Sequence, residues 1–310
     1  MKYTNQRLAY GNTLVELGKE NKQIVVLDAD LCGSTMGKIF EQTYPERHFE
    51  MGIAEADMLS ASAGLAQTGQ VPFANSFAVF AVGRAYDQIR QTIAIGKLNV
   101  KIVGSSAGLS DFGDGATHQS IEDIAIMRAL PNMVVVCPAD ANETVEATKA
   151  IANYNGPVYM RLNRNDYENV TQAGKPFKIG EPSVLKEGKD IVVFATGYMV
   201  GLALKAAKEL EDKVSVKVVN VSTIKPLNDE KIIELAKDCK AVVTAEEHSI
   251  IGGLGGAVAQ ALSKSRLPIE FIGINDVFGC SGHNYLELLE FYNLTQETIE
   301  KAVIKMNNNY

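Results

Sequence analysis

Cysteine, positive charge and long apolar runs are all scarce in this chain of 310 residues. Its four cysteines lie far apart and form no CxxC pair, so we expect each to pack as a small apolar group in a reducing compartment. The 37 acidic residues outnumber the 30 lysines and arginines, and the net charge of −7 gives no sign of binding to nucleic acid or to an anionic membrane.

No apolar run approaches the roughly 18 residues that a membrane span requires. The N-terminal residues 1–7 also lack the apolar region of a secretory signal. We therefore expect a cytoplasmic protein that makes no contact with a membrane.

What the sequence does contain is a regular alternation of short runs rich in Val and Ile with segments of helical periodicity. Such alternation is typical of parallel sheets covered on both faces by helices. In the first half, strands are predicted at residues 24–28, 71–76, 100–105, 133–138 and 157–162. In the second half, they are predicted at residues 191–196, 216–221, 241–246 and 269–274.

Between the two halves the alternation stops in a segment rich in Asn, Gly and Pro, which indicates a linker. The chain is long enough for two domains, each with its own core. We therefore predict an α/β protein of two consecutive three-layer α/β/α domains with mostly parallel sheets. The first domain is predicted at residues 1–165, the linker at 166–187 and the second domain at 188–310.

The first candidate for chemistry is the segment of residues 49–57, where an extended run turns at Gly52 into a helix of small and apolar residues. Glu55 opens that helix. A carboxyl group at such a place is expected to be poorly hydrated, as functional carboxyl groups often are. The alternative interpretation is a first-turn Glu stabilised by the helix dipole. This segment alone favours the alternative, and the other motifs reverse that preference.

A second candidate is the long glycine-rich segment of residues 105–119, which follows a predicted strand and precedes a predicted helix. Open α/β sheets bind ligands beyond the carboxyl ends of their strands, and long structured loops are often functional. The loop supplies Asp114 and His118. Helix capping by Asp114 or Thr117 is the structural alternative, but a cap requires neither the glycines nor the histidine. The spacing to the next asparagine, Asn132, does not suit a metal motif built on Gly-Asp-Gly, and we predict no metal site.

Isolated aromatic and basic residues near strand ends are weaker candidates. Phe77 and Phe80 follow the strand of residues 71–76 and could form a wall for a flat heterocycle, although such residues more often belong to a core. Arg161 ends a predicted strand, where an anion could bind. Arg7 near the N-terminus and Ser34 at the start of a helix complete the set.

The second half contains a conspicuous run, Glu246-Glu247-His248-Ser249 followed by a glycine-rich stretch that ends at Gly256. The glycines could suggest a phosphate cradle, but the run has neither the GxGxxG order nor the lysine of a P-loop. We favour tight packing between a loop and a helix.

Taken together, these motifs resemble the carboxyl-terminal two-thirds of transketolase, in which a pyrimidine-binding domain precedes the family's C-terminal domain. The resemblance covers essentially the whole chain and suits the separate C-terminal subunit of a split transketolase. Its markers are Leu27-Asp28-Ala29-Asp30-Leu31, Gly52-Ile53-Ala54-Glu55, Ser76-Phe77 with Phe80, Asp114-Gly115-Ala116-Thr117-His118-Gln119, and the run that begins at Glu246.

The resemblance implies roles in binding the cofactor, thiamine diphosphate. Glu55 matches the glutamate that hydrogen-bonds the aminopyrimidine ring, which is acid–base work by a carboxyl group. Phe77 and Phe80 match the aromatic pocket around that ring. Asp30 matches an acidic residue near the thiazolium ring.

The resemblance also implies contacts with the sugar substrates. Asp114 and His118 match residues that contact the hydroxyl groups around the reacting carbonyl, and a catalytic role is implied for His118. Arg7, Ser34 and Arg161 match residues that bind the phosphate at the far end of the sugar.

The chain departs from the family pattern in two places. Ser106 occupies the position of a histidine that helps to bind the substrate phosphate, while Asp111 and Phe112 are added in the same loop. The third aromatic residue of the pyrimidine pocket is missing near Gly83. Because of the first departure, two classes of substrate remain open. One is the usual pentose phosphates, and the other is sugars with another tail, such as a branched phosphoketose or a sulfonated sugar.

The family holds the diphosphate and Mg²⁺ with an amino-terminal domain that does not form part of this sequence. The resemblance therefore implies a partner subunit that holds most of the Mg²⁺ site, activity only with that partner, and a heterotetramer in which two such pairs associate. The implied reaction is transfer of a two-carbon ketol unit from a ketose to an aldose.

Three other interpretations remain open at this point. A 1-deoxyxylulose-5-phosphate synthase shares the pyrimidine-domain motifs but is normally one long chain. The beta subunit of a 2-oxo acid dehydrogenase has a different loop from Asp114 to His118. A regulatory or assembly subunit would have no need for the retained Glu55, Phe77 and Phe80.

Overall fold

The computed structural model describes residues 4–310 and arranges their strands in two sheets. Residues 1–3, with which the predicted first domain begins, lie outside the described part. The first half of the chain forms strands β1 to β6: Ile24–Asp28, His48–Glu50, Val71–Phe77, Lys101–Ser105, Val134–Val136 and Val158–Arg161. The second half forms strands β7 to β12: Ser183–Lys186, Ile191–Ala195, Val216–Asn220, Thr223–Lys225, Ala241–Ser249 and Ile269–Ile274.

Twelve α-helices alternate with these strands in the described residues. Helices α1 to α7 are Gln6–Glu20, Cys32–Thr35, Gly37–Thr43, Glu55–Gln67, Tyr86–Gln88, Asp123–Ala129 and Ala141–Asn153. Helices α8 to α12 are Met199–Glu209, Asp229–Ala236, Leu254–Ala261, Tyr285–Phe291 and Gln296–Asn309. None of the helices within residues 4–310 has both the length and the apolar character needed to cross a membrane.

The first sheet has seven strands in the order β10-β5-β6-β4-β3-β1-β2, and the second has five in the order β12-β11-β8-β9-β7. All neighbouring strands are parallel except the edge pairs β10–β5 and β7–β9. Strands such as β1 (IVVLD) and β8 (IVVFA) are buried along their whole length, because helices cover both faces of each sheet. The predicted fold class, two mostly parallel sheets flanked by helices, is confirmed.

The two halves of the chain are joined more closely than the sequence indicates. Strand β10 comes from the second half but pairs with β5 at the edge of the first sheet. One apolar core also contains residues of both halves, among them Leu27 and Ile102 from the first and Phe194 and Val219 from the second. The segment predicted as a linker contains strand β7, which pairs with β9.

Two segments around α5 form wide helical turns instead of regular α-helix. Residues Val79–Arg84 and Ile89–Ala94 have the π-helical hydrogen-bonding pattern. Such turns change the direction of side chains and are frequent at functional sites. Here the first of them carries Phe80 and Arg84.

Candidate active site

The candidate residues gather where neighbouring parallel strands of the first sheet end. Strands β1, β3, β4 and β6 are adjacent and parallel, so their carboxyl ends lie at one edge of the sheet. This edge is the usual binding position in open α/β folds. Asp30 follows β1, Phe77 ends β3, the loop of residues 106–119 follows β4, and Arg164 follows β6.

An aromatic cluster forms the centre of this site. The rings of Phe77 and Phe80 are stacked, with centroids 6.0 Å apart and an interplanar angle of 15°. The His118 ring meets both rings with its edge, at 6.3 Å from Phe77 and 5.1 Å from Phe80. The structure thus brings together three of the residues predicted from the sequence.

Glu55 lies beside this cluster at the start of α4. Its carboxyl group is buried, with 4% of the residue exposed, and Gly52 makes the preceding turn with a positive φ of 69°. Arg84 donates through Nη1 to both carboxyl oxygens over 3.4 and 3.5 Å. The Arg84 guanidinium also lies 4.4 Å from the centroid of the Phe80 ring. Arg84 therefore connects Glu55 to the aromatic cluster, a contact that the sequence did not indicate.

Two arginines lie on the other side of the cluster. Arg7 donates through Nη1 to the Ser34 carbonyl at 2.7 Å and through Nη2 to the Arg164 carbonyl at 2.9 Å. The Arg164 guanidinium lies 5.8 Å from the centroid of the Phe77 ring and donates to Asp111 Oδ2 at 2.6 Å. Burial, together with the positive charge of Arg164, lowers the pKa of Arg7 to about 10. Burial raises the pKa of Asp111, and the neighbouring Arg164 opposes that rise.

Arg161 does not join the other candidates. Its side chain is buried, and its Nε donates to Asp123 Oδ2 at 2.8 Å. Its Nη2 donates to the carbonyl oxygens of Ser120 and Glu247. None of these contacts links the Arg161 guanidinium to the aromatic cluster, whereas the guanidinium of Arg164, three residues further on, lies against the Phe77 ring. Arg161 lies within strand β6, and Arg164 lies after it. This difference in position is the feature of the sequence that could have identified Arg164 as the arginine at the site.

The remaining predicted residues line the same edge. Asp30 is exposed, has a positive φ of 57°, and donates its amide to Glu50 Oε1 at 2.6 Å. Asp114 is also exposed and precedes the short turn Gly115–Thr117. Thr117 Oγ1 lies 2.9 Å from His118 Nδ1, which fixes the orientation of the imidazole ring.

Ser106, predicted to occupy the position of a family histidine, is fully buried and has a positive φ of 53°. Its hydroxyl oxygen has no hydrogen-bond partner among residues 4–310. A serine hydroxyl is uncharged, so this position supplies no cation to the site.

The glycine-rich run of the second half has the packing role that the sequence favoured. Glu246 accepts hydrogen bonds from the amides of Leu254 and Gly255, at 2.7 and 2.8 Å, and so caps helix α10. No group of three or more His, Cys, Asp or Glu residues within the described part could hold a metal ion.

The fold and this site define a two-domain α/β protein with an aromatic and carboxylate site at the edge of its first sheet. The family model "Transketolase, pyrimidine binding domain" matches residues 2–169, and "Transketolase, C-terminal domain" matches residues 180–299. The chain therefore belongs to the transketolase family, as the motifs indicated.

Similar proteins cover nearly the whole chain. A protein of Methanocaldococcus jannaschii with the provisional name of a transketolase C-terminal section is 49% identical over 98% of this chain and 96% of its own length. A 6-deoxy-6-sulfo-D-fructose transketolase subunit of Clostridium sp. strain MSTE9 is 40% identical over 96% of this chain and 92% of its own. A solved structure described as a split gene transketolase, inactive beta4 tetramer, matches with a TM-score of 0.90 and 47% identity over 99% of both chains.

Proposed function

We propose that this chain is the C-terminal subunit of a split, thiamine-diphosphate-dependent transketolase, which moves a two-carbon ketol unit from a ketose, phosphorylated in the usual case, to an aldose. The observation that carries the proposal is the buried carboxyl group of Glu55 beside the stacked rings of Phe77 and Phe80. Family membership and the similarity to a split gene transketolase support it.

The residues present suit the aminopyrimidine of thiamine diphosphate. A flat heterocycle packs well against aromatic rings such as Phe77 and Phe80, and a buried carboxyl group can hydrogen-bond a ring nitrogen. Glu55 would hold that nitrogen, the two rings would orient the heterocycle, and Asp30 would face its thiazolium end. When bound, the cofactor supplies a nucleophilic carbon for attack on a ketose carbonyl.

The rest of the chemistry belongs to side chains at the mouth of the site. His118 and Asp114 would bind the hydroxyl groups next to the reacting carbonyl and so orient the sugar. The imidazole of His118 can also take up and return a proton at a sugar oxygen, which is a common role of histidine.

The far end of the sugar would meet Arg7, Arg164 and the Ser34 side of the site. Asp111 pairs with Arg164, and a carboxylate so close to the two arginines offsets part of their charge. A phosphate monoester carries close to two negative charges at neutral pH, whereas a sulfonate carries one. The Asp111–Arg164 pair and the Clostridium relative therefore favour, as a second candidate, a ketose with a singly charged tail such as a sulfonate.

The proposal includes a partner subunit with the amino-terminal domain of the family, which would hold the diphosphate and most of the Mg²⁺ site. Two such pairs would form a heterotetramer in the cytoplasm. The names of a C-terminal section and of a split gene transketolase among similar proteins support this arrangement. The solved split gene transketolase is described as an inactive beta4 tetramer. A requirement for the amino-terminal partner would explain why a tetramer of one chain type is inactive.

The test is reconstitution. The chain is purified with and without a candidate amino-terminal transketolase subunit, then supplied with Mg²⁺ and thiamine diphosphate. Matched ketose donors with a terminal hydroxyl, sulfonate or phosphate are offered with a common aldose. Two-carbon transfer is expected only with both subunits. The ratio of the transfer rates with the three donors identifies the terminal group that the enzyme prefers.

A stable complex that binds the cofactor but transfers no two-carbon unit from any ketose would overturn the proposal. Formation of deoxyxylulose phosphate from pyruvate, or decarboxylation of a 2-oxo acid, would assign the chain to one of the two alternative enzymes. Failure of both assays would favour a non-catalytic subunit.

A further inference from the structure

The loop of residues 106–119, which carries Asp114 and His118, is held in place by the second half of the chain. We call it the β4 loop. The Gly282 amide donates to the Phe112 carbonyl at 2.8 Å, and Gln119 Nε2 donates to the Cys280 carbonyl at 2.9 Å. The deepest of these contacts is made by Glu247, at the end of strand β11.

The Glu247 carboxylate is buried between the two halves of the chain and is fully engaged there. Its Oε1 accepts a hydrogen bond from the Leu109 amide in the β4 loop at 2.7 Å. Its Oε2 accepts from the Tyr285 hydroxyl at 2.7 Å and from Asn163 Nδ2 at 3.2 Å. One carboxylate therefore joins the β4 loop, the segment after β6 and helix α11.

Gly108 is adapted to this contact. Its φ of 64° lies in the left-handed region, and a Cβ at this position would collide with the Glu247 carboxylate. The glycine thus allows the carboxylate to approach the backbone of the β4 loop. None of the roles proposed above uses Glu247.

We propose that Glu247 is a positioning residue, which fixes the β4 loop through the Leu109 amide and so sets the positions of Asp114 and His118 at the substrate. The inference rests on the proposed function, because it assigns those two side chains to the sugar. It gives the second domain a part in the reaction although that domain supplies no group to the chemistry.

The matched control is Glu246, which lies in the same strand. It is also a buried carboxylate that accepts two backbone amides, but those amides belong to helix α10 within the second domain. Removal of either carboxylate leaves buried donors without an acceptor and lowers stability. Only the removal of Glu247 releases the β4 loop.

The experiment compares Glu247→Ala, Glu247→Gln and Glu246→Ala in the reconstituted two-subunit enzyme. Glu247→Ala is expected to lower kcat/KM for the ketose by at least about tenfold, because small displacements of reacting groups are costly. The half-saturation concentration of thiamine diphosphate should change much less than kcat/KM, since Glu55, Phe77 and Phe80 lie outside the β4 loop and only the His118 ring of that loop packs against the two phenylalanines. Glu247→Gln keeps an acceptor for the Leu109 amide and should restore most of the loss.

Hydrogen–deuterium exchange provides a readout that does not depend on activity. The amides of residues 106–119 should exchange faster in Glu247→Ala than in Glu246→Ala, at equal assembly of the complex. If Glu247→Ala does not fold, Tyr285→Phe removes one hydrogen bond from the same carboxylate and should give a smaller loss of the same kind.

Equal kcat/KM and equal exchange in the Glu247 and Glu246 variants would overturn the inference. So would a loss in which cofactor binding weakens as much as substrate turnover, since that would indicate general disruption. An inactive wild-type complex would instead count against the proposed function, and the exchange comparison would still decide whether Glu247 holds the loop.

Discussion

At the scale of single residues, the contrast between Glu55 and Asp57 decides how the first turn of α4 is interpreted. Both acidic side chains lie in that turn, where the helix dipole favours either of them. Glu55 is buried beside Arg84 and the Phe80 ring, whereas Asp57 is exposed. A dipole effect alone would not require burial, so the location of Glu55 favours a role in binding or proton transfer.

Glu55→Gln keeps the size of this side chain but removes its ability to take up and release a proton. We expect turnover of the reconstituted enzyme to fall by about 100-fold or more, in the range usual for loss of a general acid or base. Saturation with thiamine diphosphate should still be reached, because Phe77 and Phe80 remain. Steady-state kinetics at several cofactor concentrations measures both quantities.

Asp57→Asn is the control for the loss of one negative charge at the start of α4. It should leave turnover within about twofold of wild type, as is usual for an exposed surface substitution. Similar turnover in the two variants would refute a catalytic role for Glu55.

At the scale of elements, a buried polar network fixes the turn from β1 to α2, which presents Asp30 and Ser34 to the site. The Asp28 carboxylate at the end of β1 accepts a hydrogen bond from Thr35 Oγ1 at 2.5 Å. It also lies 3.1 Å from His48 Nε2 in β2. This network therefore links two strands and a helix directly below the candidate site.

The protonation of His48 should make this network sensitive to pH. Burial lowers the pKa of His48. The hydrogen bond to Asp28 and the charge of Asp28, with smaller effects of Glu41 and Glu50, together raise it by more than burial lowers it. The net pKa of His48 therefore lies above the ordinary value. A raised histidine pKa contributes stability that is present below the ordinary value, about 6.5, and is lost as the pH rises through the folded-state value.

The corresponding variant is His48→Gln, which can still hydrogen-bond Asp28 but does not titrate in this range. The melting temperature of the wild-type chain should exceed that of the variant most at about pH 6, with a difference that shrinks towards about pH 9. Thermal melts across this range test the expectation. A constant difference between the two proteins would show that the charge on His48 contributes nothing.

At the scale of the whole molecule, the sequence predicted the long buried strands well and the connections between the halves poorly. Strand β8 (IVVFA) is apolar throughout and needs no partner to be recognised. Strand β10 (TIK) has only three residues and becomes a strand because it pairs with β5, far away in sequence. The pattern of residues in a short stretch of sequence carries no information on pairing with a strand that is distant in the chain.

The same limit applies to the candidate site. Motifs pointed to Glu55 at a helix start, to Phe77 at a strand end, and to Phe80 and His118 in the segments that follow β3 and β4. Arg84, which contacts Glu55, belongs to the segment Val79–Arg84, and the periodicity of the sequence does not reveal the wide turns of that segment. Long-range packing, rather than local preference, decided which arginine faces the site.

The shared core implies that the first predicted domain, even together with the predicted linker, should not fold well alone. A chain that ends at residue 187 would lack β10 at the edge of the first sheet. It would also lack the apolar residues of the second half that pack in the shared core, among them Phe194, Val219 and Ile224. Each large apolar side chain contributes about 1.5–3 kcal/mol when buried, and total stabilities are only about 5–15 kcal/mol.

Residues 1–187 expressed alone should therefore aggregate or melt without cooperativity, whereas the full chain melts in a cooperative transition. Co-expression with residues 180–310 should restore a soluble pair, because the missing contacts act across the break in the chain. Calorimetry of both preparations measures this dependence. A cooperative melt of residues 1–187, with a melting temperature within a few degrees of that of the full chain, would contradict this prediction and mean that the first half is stable by itself. The pairing of β10 with β5 would then orient the two halves without stabilising the first.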